Sequence, residues 1–187
     1  MIGCEALVIG GSAGSLDVLL RVLPILDTAL SFPIIIVIHR KHDSDSLLPN
    51  LLSSRTRLTV KEVDEKEPIN AGTIYVAPSN YHLLIEQDRT FSLDYSEKIN
   101  YSRPAIDVTF QTAAEVYRTK LACLLLSGSN SDGVNGLKTV KAWGGLALIQ
   151  DPDSAQVGYM PAQAKLHVKI DEVLSIENIG EFINSIK

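Results

Sequence analysis

The chain has few cysteines. Cys4 and Cys123 are the only two among 187 residues, and each lies in an apolar run. We therefore expect both side chains to be buried hydrophobic residues. Because burial in apolar surroundings raises the pKa of a thiol, we do not expect either of them to be reactive. The sequence contains no cysteines in a CxxC spacing and no His/Cys cluster, so we expect no metal site.

Long apolar runs and long basic runs are also missing. No apolar run approaches the roughly 20 residues that a membrane-spanning helix needs, which argues against membrane insertion. The first residues have neither the positive charge nor the cleavage site of a secretory signal, so we expect a cytoplasmic protein. The net charge is -5, which argues against nucleic acid as the main partner. Such a charge is compatible with a small neutral substrate or with another protein.

Internal repeats, low-complexity tracts and linkers are absent as well, so residues 1–187 are predicted to form a single domain. Apolar and alternating runs predict strands at residues 5–9, 32–38, 58–63, 121–126 and 145–149. Helical spacing predicts helices at about residues 15–24, 47–52, 106–117, 133–143, from 160 onwards, and 176–186. Short alternating segments over residues 72–93 predict an antiparallel hairpin excursion. This rhythm of strands and helices is typical of an α/β fold.

Three of the predicted strands end in the residue types of a hydrolytic triad. Ser12 follows the first strand, His39 follows the second, and Asp132 follows the strand at residues 121–126. Continuous apolar runs of this kind are typical of parallel strands that are buried on both faces. Because sites in open parallel sheets form outside the carboxyl ends of the strands, we expect the three side chains at one edge. The pattern indicates an acyl-transfer enzyme.

The segment around the serine, residues 10–14, matches the G-x-S-x-G pattern of a nucleophile elbow. Its glycines permit a sharp turn from strand to helix, and the helix that follows presents backbone N–H groups to an oxyanion. However, the chain order Ser, His, Asp does not match the order in α/β-hydrolases.

Two other interpretations of this turn stay open. It could hold the phosphate of a dinucleotide, although the full G-x-G-x-x-G pattern is missing. The second strand ends in His39, Arg40 and Lys41 instead of the acidic residue that binds a ribose, and this basic pair would suit an NADP phosphate. The turn could also be a tight connection without chemistry.

The histidine and the aspartate each have rivals in the sequence. His39 closes a strand and is the preferred general base, with His42 as a substitute further into the loop. Asp132 precedes a glycine at a helix start, so it could simply cap that helix. Asp43 and Asp45 are rivals close to His39 in sequence. The other two histidines are expected to be structural or on the surface: His82 and His167.

These segments together resemble the catalytic domain of the chemotaxis receptor methylesterase family, CheB, over nearly the whole chain. The resemblance is carried by Val8-Ile9-Gly10-Gly11-Ser12-Ala13-Gly14, by Ile38-His39, and by Leu126-Ser127-Gly128 followed by Asp132-Gly133-Val134-Asn135-Gly136-Leu137. Weaker matches are Ile74-Tyr75-Val76-Ala77-Pro78 with His82, Ser102-Arg103-Pro104-Ala105-Ile106-Asp107, and Ile149-Gln150-Asp151 leading to Met160-Pro161.

The resemblance implies a doubly wound, mainly parallel sheet flanked by helices, with an antiparallel hairpin near the site. It implies a serine esterase that hydrolyses γ-glutamyl methyl esters on cytoplasmic helices of chemoreceptors, releases methanol, and also deamidates receptor glutamines. Ser12 would be the nucleophile, His39 the base and Asp132 its support, with no cofactor. Backbone N–H groups near Ala13 and Ser129 would bind the oxyanion. Arg103 is a candidate for positioning the substrate, and a surface salt bridge explains it equally well.

The chain departs from the family pattern in several places. Ala13 stands where the family commonly has threonine, Ser129 stands where it usually has methionine, and Gly158-Tyr159 is transposed. These changes keep open a non-catalytic module that binds receptor helices. This sequence contains no segment that resembles the receiver domain typical of the regulated enzyme. If residues 1–187 are the whole protein, we expect phosphorylation not to act in cis, and the alternative is that they are one part of a larger signalling protein. A separate phosphoacceptor or methyltransferase component is then a candidate partner.

Overall fold

A seven-stranded parallel sheet forms the centre of the protein in a computed structural model that describes residues 3–40 and 47–186. Its strand order is β3-β4-β2-β1-β7-β8-β9, and β5 pairs with β6 in a separate antiparallel hairpin. The strands are β1 (Ala6–Gly11), β2 (Ile34–Ile38), β3 (Thr59–Glu62), β4 (Thr73–Val76), β5 (His82–Ile85), β6 (Phe91–Asp94), β7 (Leu121–Leu125), β8 (Leu146–Gln150) and β9 (Glu172–Leu174).

Helices cover both faces of this sheet because alternate strand residues point to opposite sides. Leu7 and Ile9 of β1 pack on one face with α1, α2 and α6, and Ala6 and Val8 pack on the other with α3, α4, α5 and the hairpin. The helices are α1 (Ser15–Val22), α2 (Leu48–Ser53), α3 (Ile106–Tyr117), α4 (Val134–Ala142), α5 (Tyr159–His167) and α6 (Ile176–Ser185). The doubly wound, mainly parallel α/β fold predicted from the sequence is confirmed.

The three central strands, β2, β1 and β7, are buried along their whole length. They run parallel and side by side, with Gly11 opposite Ile38 and Gly10 opposite Leu125. Their carboxyl ends therefore meet at one edge of the sheet, as expected for strands that are apolar on both faces. This edge is where the residues that follow β1, β2 and β7 come together.

The prediction for residues 72–93 was only partly right. β5 and β6 form the antiparallel hairpin, but β4 belongs to the main sheet, where it pairs in parallel with β2 and β3. β4 is a core strand, since Ile74, Tyr75 and Val76 are buried. It was predicted as an arm of the hairpin because it is short. The three-residue edge strand β9 was not predicted, because Glu172 and Val173 are exposed and carry no apolar run.

Both cysteines are free and buried, as predicted. Burial raises the pKa of Cys4 to about 11 and raises the pKa of Cys123 well above its ordinary value. Within the two described ranges, no helix has the length and apolar character needed to cross a bilayer. The same ranges hold no cluster of three or more His, Cys, Asp or Glu side chains suited to a metal ion.

Candidate active site

Ser12 and His39 follow directly after neighbouring parallel strands. The backbone N–H of His39 donates to the carbonyl of Gly11 at 3.1 Å, and the N–H of Ser12 donates to the carbonyl of Ser127 at 2.9 Å. The serine turn is thus bonded to the strand end on each side of it. The sheet edge predicted from the sequence holds both residues, and both line a cavity of about 310 Å³.

The turn after Ser12 depends on a glycine. Gly14 has φ +83°, and it precedes α1 as the N-cap residue. A Cβ at this position would lie 2.7 Å from Ser127 Oγ, so any larger residue would be both strained and crowded. Ser15 Oγ closes the turn by donating to the carbonyl of Ser12 at 2.5 Å. The G-x-S-x-G pattern therefore folds as the sharp strand-to-helix connection that an exposed nucleophile needs.

Asp132 is completely buried, with 0% of its surface exposed. Its Oδ2 accepts hydrogen bonds from His39 Nε2 and from the N–H of Ile106, each at 2.7 Å. Its Oδ1 accepts from Asn100 Nδ2 at 2.9 Å, from the N–H of Gly133 at 3.0 Å and from the N–H of Asp107 at 3.1 Å. The carboxylate thus receives five donors and binds the first N–H groups of α3, as well as the histidine.

These donors decide the charge of Asp132. Burial alone would raise its pKa, but the hydrogen bonds from His39, the Ile106 N–H and Asn100 together hold the pKa of this carboxyl below its ordinary value. The capping alternative was wrong about the helix, because α4 has Gly133 as its N-cap residue and no side-chain cap. Asp132 instead accepts the first two N–H groups of α3, which lies about 25 residues earlier in the chain, as well as the N–H of Gly133.

His39 is oriented by this contact. Since Nε2–H donates to Asp132, a neutral imidazole has its unprotonated nitrogen at Nδ1, on the opposite side of the ring. Nδ1 lies 3.4 Å from Ser102 Oγ. Among the described residues, no hydrogen bond joins Ser12 Oγ to the imidazole in this conformation. The structure therefore brings His39 and Asp132 into direct contact and places Ser12 at the same cavity, and the complete triad stays a prediction.

The two oxyanion candidates lie on loops that touch each other. Ala13 and Ser129 are both exposed, and no hydrogen bond within the described part of the chain uses the backbone N–H of either residue. A Cβ added to Gly128 would lie 3.1 Å from Ser12 Cβ, so the loop after β7 packs against the serine. Both N–H groups are thus uncommitted close to Ser12, and their role in binding an oxyanion stays a prediction.

Arg103 is held by the loop that carries it. Its guanidinium donates to Asn80 Oδ1 at 2.7 Å and to the carbonyls of Tyr95 and Ser96 at 3.1 and 2.7 Å. It also lies 3.9 Å from the ring centre of Tyr95. The structure records no carboxylate partner for it in the ranges described, so the salt-bridge explanation is not supported. Arg103 and His39 both line a second cavity of about 480 Å³. The role of Arg103 in positioning the substrate therefore stays a prediction.

The remaining sequence candidates lie elsewhere. His82 is buried and structural, because its Nε2 bonds to the carbonyl of Glu97 at 2.9 Å and its Nδ1 accepts the N–H of Ala105 at 3.1 Å. His167 is exposed near the end of α5. Three rivals fall outside the described residues: His42, Asp43 and Asp45.

Sequence reasoning gave no role to three residues around this pair: Asn100, Ser102 and Asp107. Ser102 and Asp107 are the two ends of one of the weaker family matches, whereas Asn100 was not named. Asn100 and Asp107 surround Asp132, and Ser102 faces His39. One signal was available, because Asp107 is a charged residue between Ile106 and Phe110 on the buried side of a helix. Asn100 lies in an irregular exposed loop and carried no comparable signal.

Residues 7–183 match the family model described as CheB methylesterase. The chain belongs to the CheB methylesterase family. A protein of Leptospira interrogans, named as a candidate protein-glutamate methylesterase/protein-glutamine glutaminase, is 49% identical over 177 residues, which cover 95% of this chain and 92% of the relative. A protein-glutamate methylesterase/protein-glutamine glutaminase of Thermotoga maritima is 35% identical over 95% of this chain, which spans 52% of that relative.

The three-dimensional comparison agrees with the CheB assignment. The crystal structure of the Thermotoga maritima CheB methylesterase catalytic domain superposes with a TM-score of 0.92 at 33% identity, and the match covers 100% of both chains. The family resemblance and the fold predicted from the sequence are therefore confirmed. The comparisons do not support the NADP-binding interpretation of the glycine turn or the non-catalytic binding module.

Proposed function

We propose that this chain is a protein-glutamate methylesterase that hydrolyses γ-glutamyl methyl esters on cytoplasmic helices of chemoreceptors. The CheB family match and the names of the relatives support a carboxylic ester hydrolase that acts in chemotaxis. The observation that carries the chemistry is the partly buried hydrogen bond between His39 and Asp132, beside the cavity that His39 and Ser12 line. The names of the relatives also support hydrolysis of the glutamine amide. The proposed compartment is the cytoplasm, where those receptor helices lie.

In the proposed mechanism, Ser12 Oγ attacks the ester carbonyl carbon while its proton passes to His39 Nδ1. The tetrahedral oxyanion is stabilised by the N–H groups of Ala13 and Ser129. The bond from carbon to the methoxy oxygen then breaks, and this oxygen takes the proton from Nδ1 to leave as methanol. Ser12 is left as an acyl ester. A glutamine substrate follows the same path with ammonia as the leaving group.

Hydrolysis of the acyl ester repeats these steps with water. His39 Nδ1 takes a proton from the water molecule, whose oxygen attacks the acyl carbon. The bond to Ser12 Oγ then breaks, and the imidazolium returns the proton to the serine. The product is the glutamate side chain of the receptor. Atoms and protons balance without a cofactor, because water is the only co-reactant.

Asp132 supports both proton transfers. Its bond to Nε2–H keeps the accepting lone pair at Nδ1, and its negative charge stabilises the imidazolium that forms twice in each cycle. Hydrogen bonds to its carboxylate keep its pKa low, so the residue is ionised at neutral pH. It therefore acts as a fixed anion and does not take the proton itself.

The test is the loss of the nucleophile. Ser12→Ala is expected to reduce methanol release from a methylated receptor segment by at least ~10⁴-fold, since the loss of a triad nucleophile removes the covalent path. Ammonia release from a glutamine-containing segment should fall with it. Ser131→Ala is the matched control, because Ser131 is an exposed serine on the loop after β7. This control should keep the activity of the original chain.

A fluorophosphonate probe gives an independent readout. It should label the protein at Ser12, as located by peptide mass spectrometry, and leave Ser12→Ala unlabelled. Undiminished methanol release from a folded Ser12→Ala protein would contradict the proposal. Saturable NADP binding without labelling would instead revive the dinucleotide interpretation of the glycine turn.

A further inference from the structure

Two buried carboxylates and the amide of an exposed loop residue form a hydrogen-bonded chain behind the histidine. Asn100 Nδ2 donates to Asp132 Oδ1 and to Asp107 Oδ2, each at 2.9 Å. Asp107 Oδ1 accepts the N–H of Gly136 at 2.7 Å, which joins α3 to α4. Only Asp132 contacts His39 directly. Asn100 and Asp107 are thus one step further from the imidazole, and the proposed mechanism gives them no role.

A tight turn places the asparagine between the carboxylates. Ile99 and Ser102 exchange backbone hydrogen bonds of 3.2 and 2.9 Å, and the two residues between them have φ values of +53° and +63°. Positive φ at both central positions is typical of a type I′ turn, and asparagine is favoured at the first of them. The same turn places Ser102 Oγ 3.4 Å from His39 Nδ1. Asn100 and Ser102 therefore approach the histidine and its partner from one turn.

The amide has an electrostatic consequence for its two neighbours. Burial raises the pKa of Asp107, and the nearby charge of Asp132 raises it further, against the hydrogen bonds from Gly136 and Asn100. Two acids held this close tend to retain a proton between them. The two N–H groups of Asn100 point one hydrogen at each carboxylate, so they stabilise the state in which both are anions. A proton on Asp132 would remove the charge that supports the imidazolium.

We propose that Asn100 and Asp107 are positioning residues of the active site, which hold Asp132 in place and keep it ionised for its action on His39. This inference rests on the proposed function, because it assigns the two residues to the same catalytic cycle. The simpler explanation is that Asn100 only satisfies the turn and Asp107 only joins two helices. The two explanations differ in what they predict for proton uptake by the site.

Asn100→Gly separates the turn from the amide. Glycine adopts positive φ readily, so the turn is kept while both hydrogen bonds to the carboxylates are lost. Tyr101→Gly is the matched control at the second turn position, because the Tyr101 side chain is 99% exposed. Asp107→Asn is the complementary variant. It removes one negative charge and keeps an oxygen for the N–H of Gly136.

The readout is proton uptake at the histidine. It is measured as the midpoint of the NMR titration of the ring nitrogens and as the midpoint of the acidic limb of kcat/KM. Asn100→Gly should move both midpoints to higher pH, because the amide N–H groups no longer offset the negative charge of the two carboxylates, which then stabilise the imidazolium more strongly. Asp107→Asn should move both to lower pH, because one buried anion is gone. We also expect Asn100→Gly to lower kcat about tenfold with little change in KM, as for the loss of one hydrogen bond to a charged group. Tyr101→Gly should leave the NMR midpoint unchanged.

The charges that face His39 are the same in all these variants. Asp132 faces Nε2, Arg40 follows His39 on the chain and pairs with Glu62 at 2.8 Å, and the cations Lys98 and Arg103 line the cavity beside the ring. The opposite shifts of the midpoint in Asn100→Gly and Asp107→Asn can therefore be assigned to the residue that is altered in each variant.

Unshifted midpoints in a folded Asn100→Gly protein would overturn the proposal and leave Asn100 as a turn residue. If thermal melting shows that this variant is unfolded, Asp107→Asn decides alone, and an unshifted midpoint there overturns the proposal too. The NMR titration needs no turnover. Failure of the proposed function, seen as full activity of Ser12→Ala, is therefore distinguishable from failure of this inference.

Discussion

Replacement of Asp132 by asparagine tests the orientation of the histidine most directly. One of the two oxygens becomes an NH₂ group, and each oxygen now faces only donors: two at Oδ2 and three at Oδ1. The lower cost is to place the NH₂ group at the Oδ2 side, where it meets His39 Nε2 and the N–H of Ile106. His39 Nε2 can then accept a hydrogen bond from this NH₂ group only if the imidazole proton moves to Nδ1. In that tautomer Nδ1 has no lone pair for the proton of Ser12.

The expected magnitudes follow from these contacts. The wrong tautomer should lower kcat by about 10⁴-fold, as the corresponding change does in a serine protease triad. The N–H of Ile106 at the start of α3 loses its acceptor, and a lost cap together with a buried unpaired donor costs about 2–4 kcal/mol of the free energy of unfolding. Since the pKa of Asp132 is lowered by folding, its stabilising effect is complete above the unfolded value of about 4 and is lost as the pH falls through the folded value. The stability difference between the two proteins should therefore narrow in acid.

Urea denaturation between pH 3 and pH 7 measures the stability, and methanol release from a methylated receptor segment measures the activity. Asp171→Asn is the matched control, because this carboxylate also accepts a backbone N–H, from Ala147 at 2.7 Å, and pairs with Lys141. It should lose stability and keep turnover. A folded Asp132→Asn protein with activity within tenfold of the original would refute the argument, since the histidine would then not depend on this carboxylate for its tautomer.

Two further predictions concern the serine loop and the thiols. Gly128→Ala should lower kcat strongly while the fold persists, because the new Cβ would lie 2.5 Å from Met160 Cε and 3.1 Å from Ser12 Cβ. A methanol-release assay alongside circular dichroism checks this prediction. Unchanged kcat would show that the loop does not hold the serine. Iodoacetamide at pH 8 should leave Cys4 and Cys123 of the native protein unmodified, because burial raises both thiol pKa values; rapid alkylation seen by mass spectrometry without unfolding would contradict this.

The central strands and the position of the site were predictable from the sequence because one physical constraint governs both. A strand that is buried on both faces must be apolar throughout, so its first polar residue marks its end. Ser12 and His39 are such residues, and their strands are neighbours in the sheet. The family motifs then specified Asp132 among several acidic residues. Local pattern and family resemblance pointed to the same edge of the sheet.

The surroundings of Asp132 could not be predicted in this way. The contacts from Asn100 and Asp107 join residues 25 to 32 positions away from it, and no periodicity in the sequence relates such positions. Asn100 reaches the site only because the turn after Ile99 reverses the chain with two positive φ values. A Tyr101 in the second of these positions, where glycine is preferred, conceals that turn in the sequence. Side-chain contacts across the fold therefore appear only in the structure.

The position of Asp132 also links the stability of the fold to the chemistry. A carboxylate that only oriented a histidine could remain partly hydrated, whereas this one is fully buried and supplies the acceptors for the first two N–H groups of α3. The packing of α3 on the sheet and on α4 is therefore tied to the same oxygens that hold the imidazole. A shift of α3 would move the acceptor of Nε2 along with it. The helix that covers this face of the sheet is in this sense part of the proposed catalytic framework, although none of its side chains hydrogen-bonds to His39.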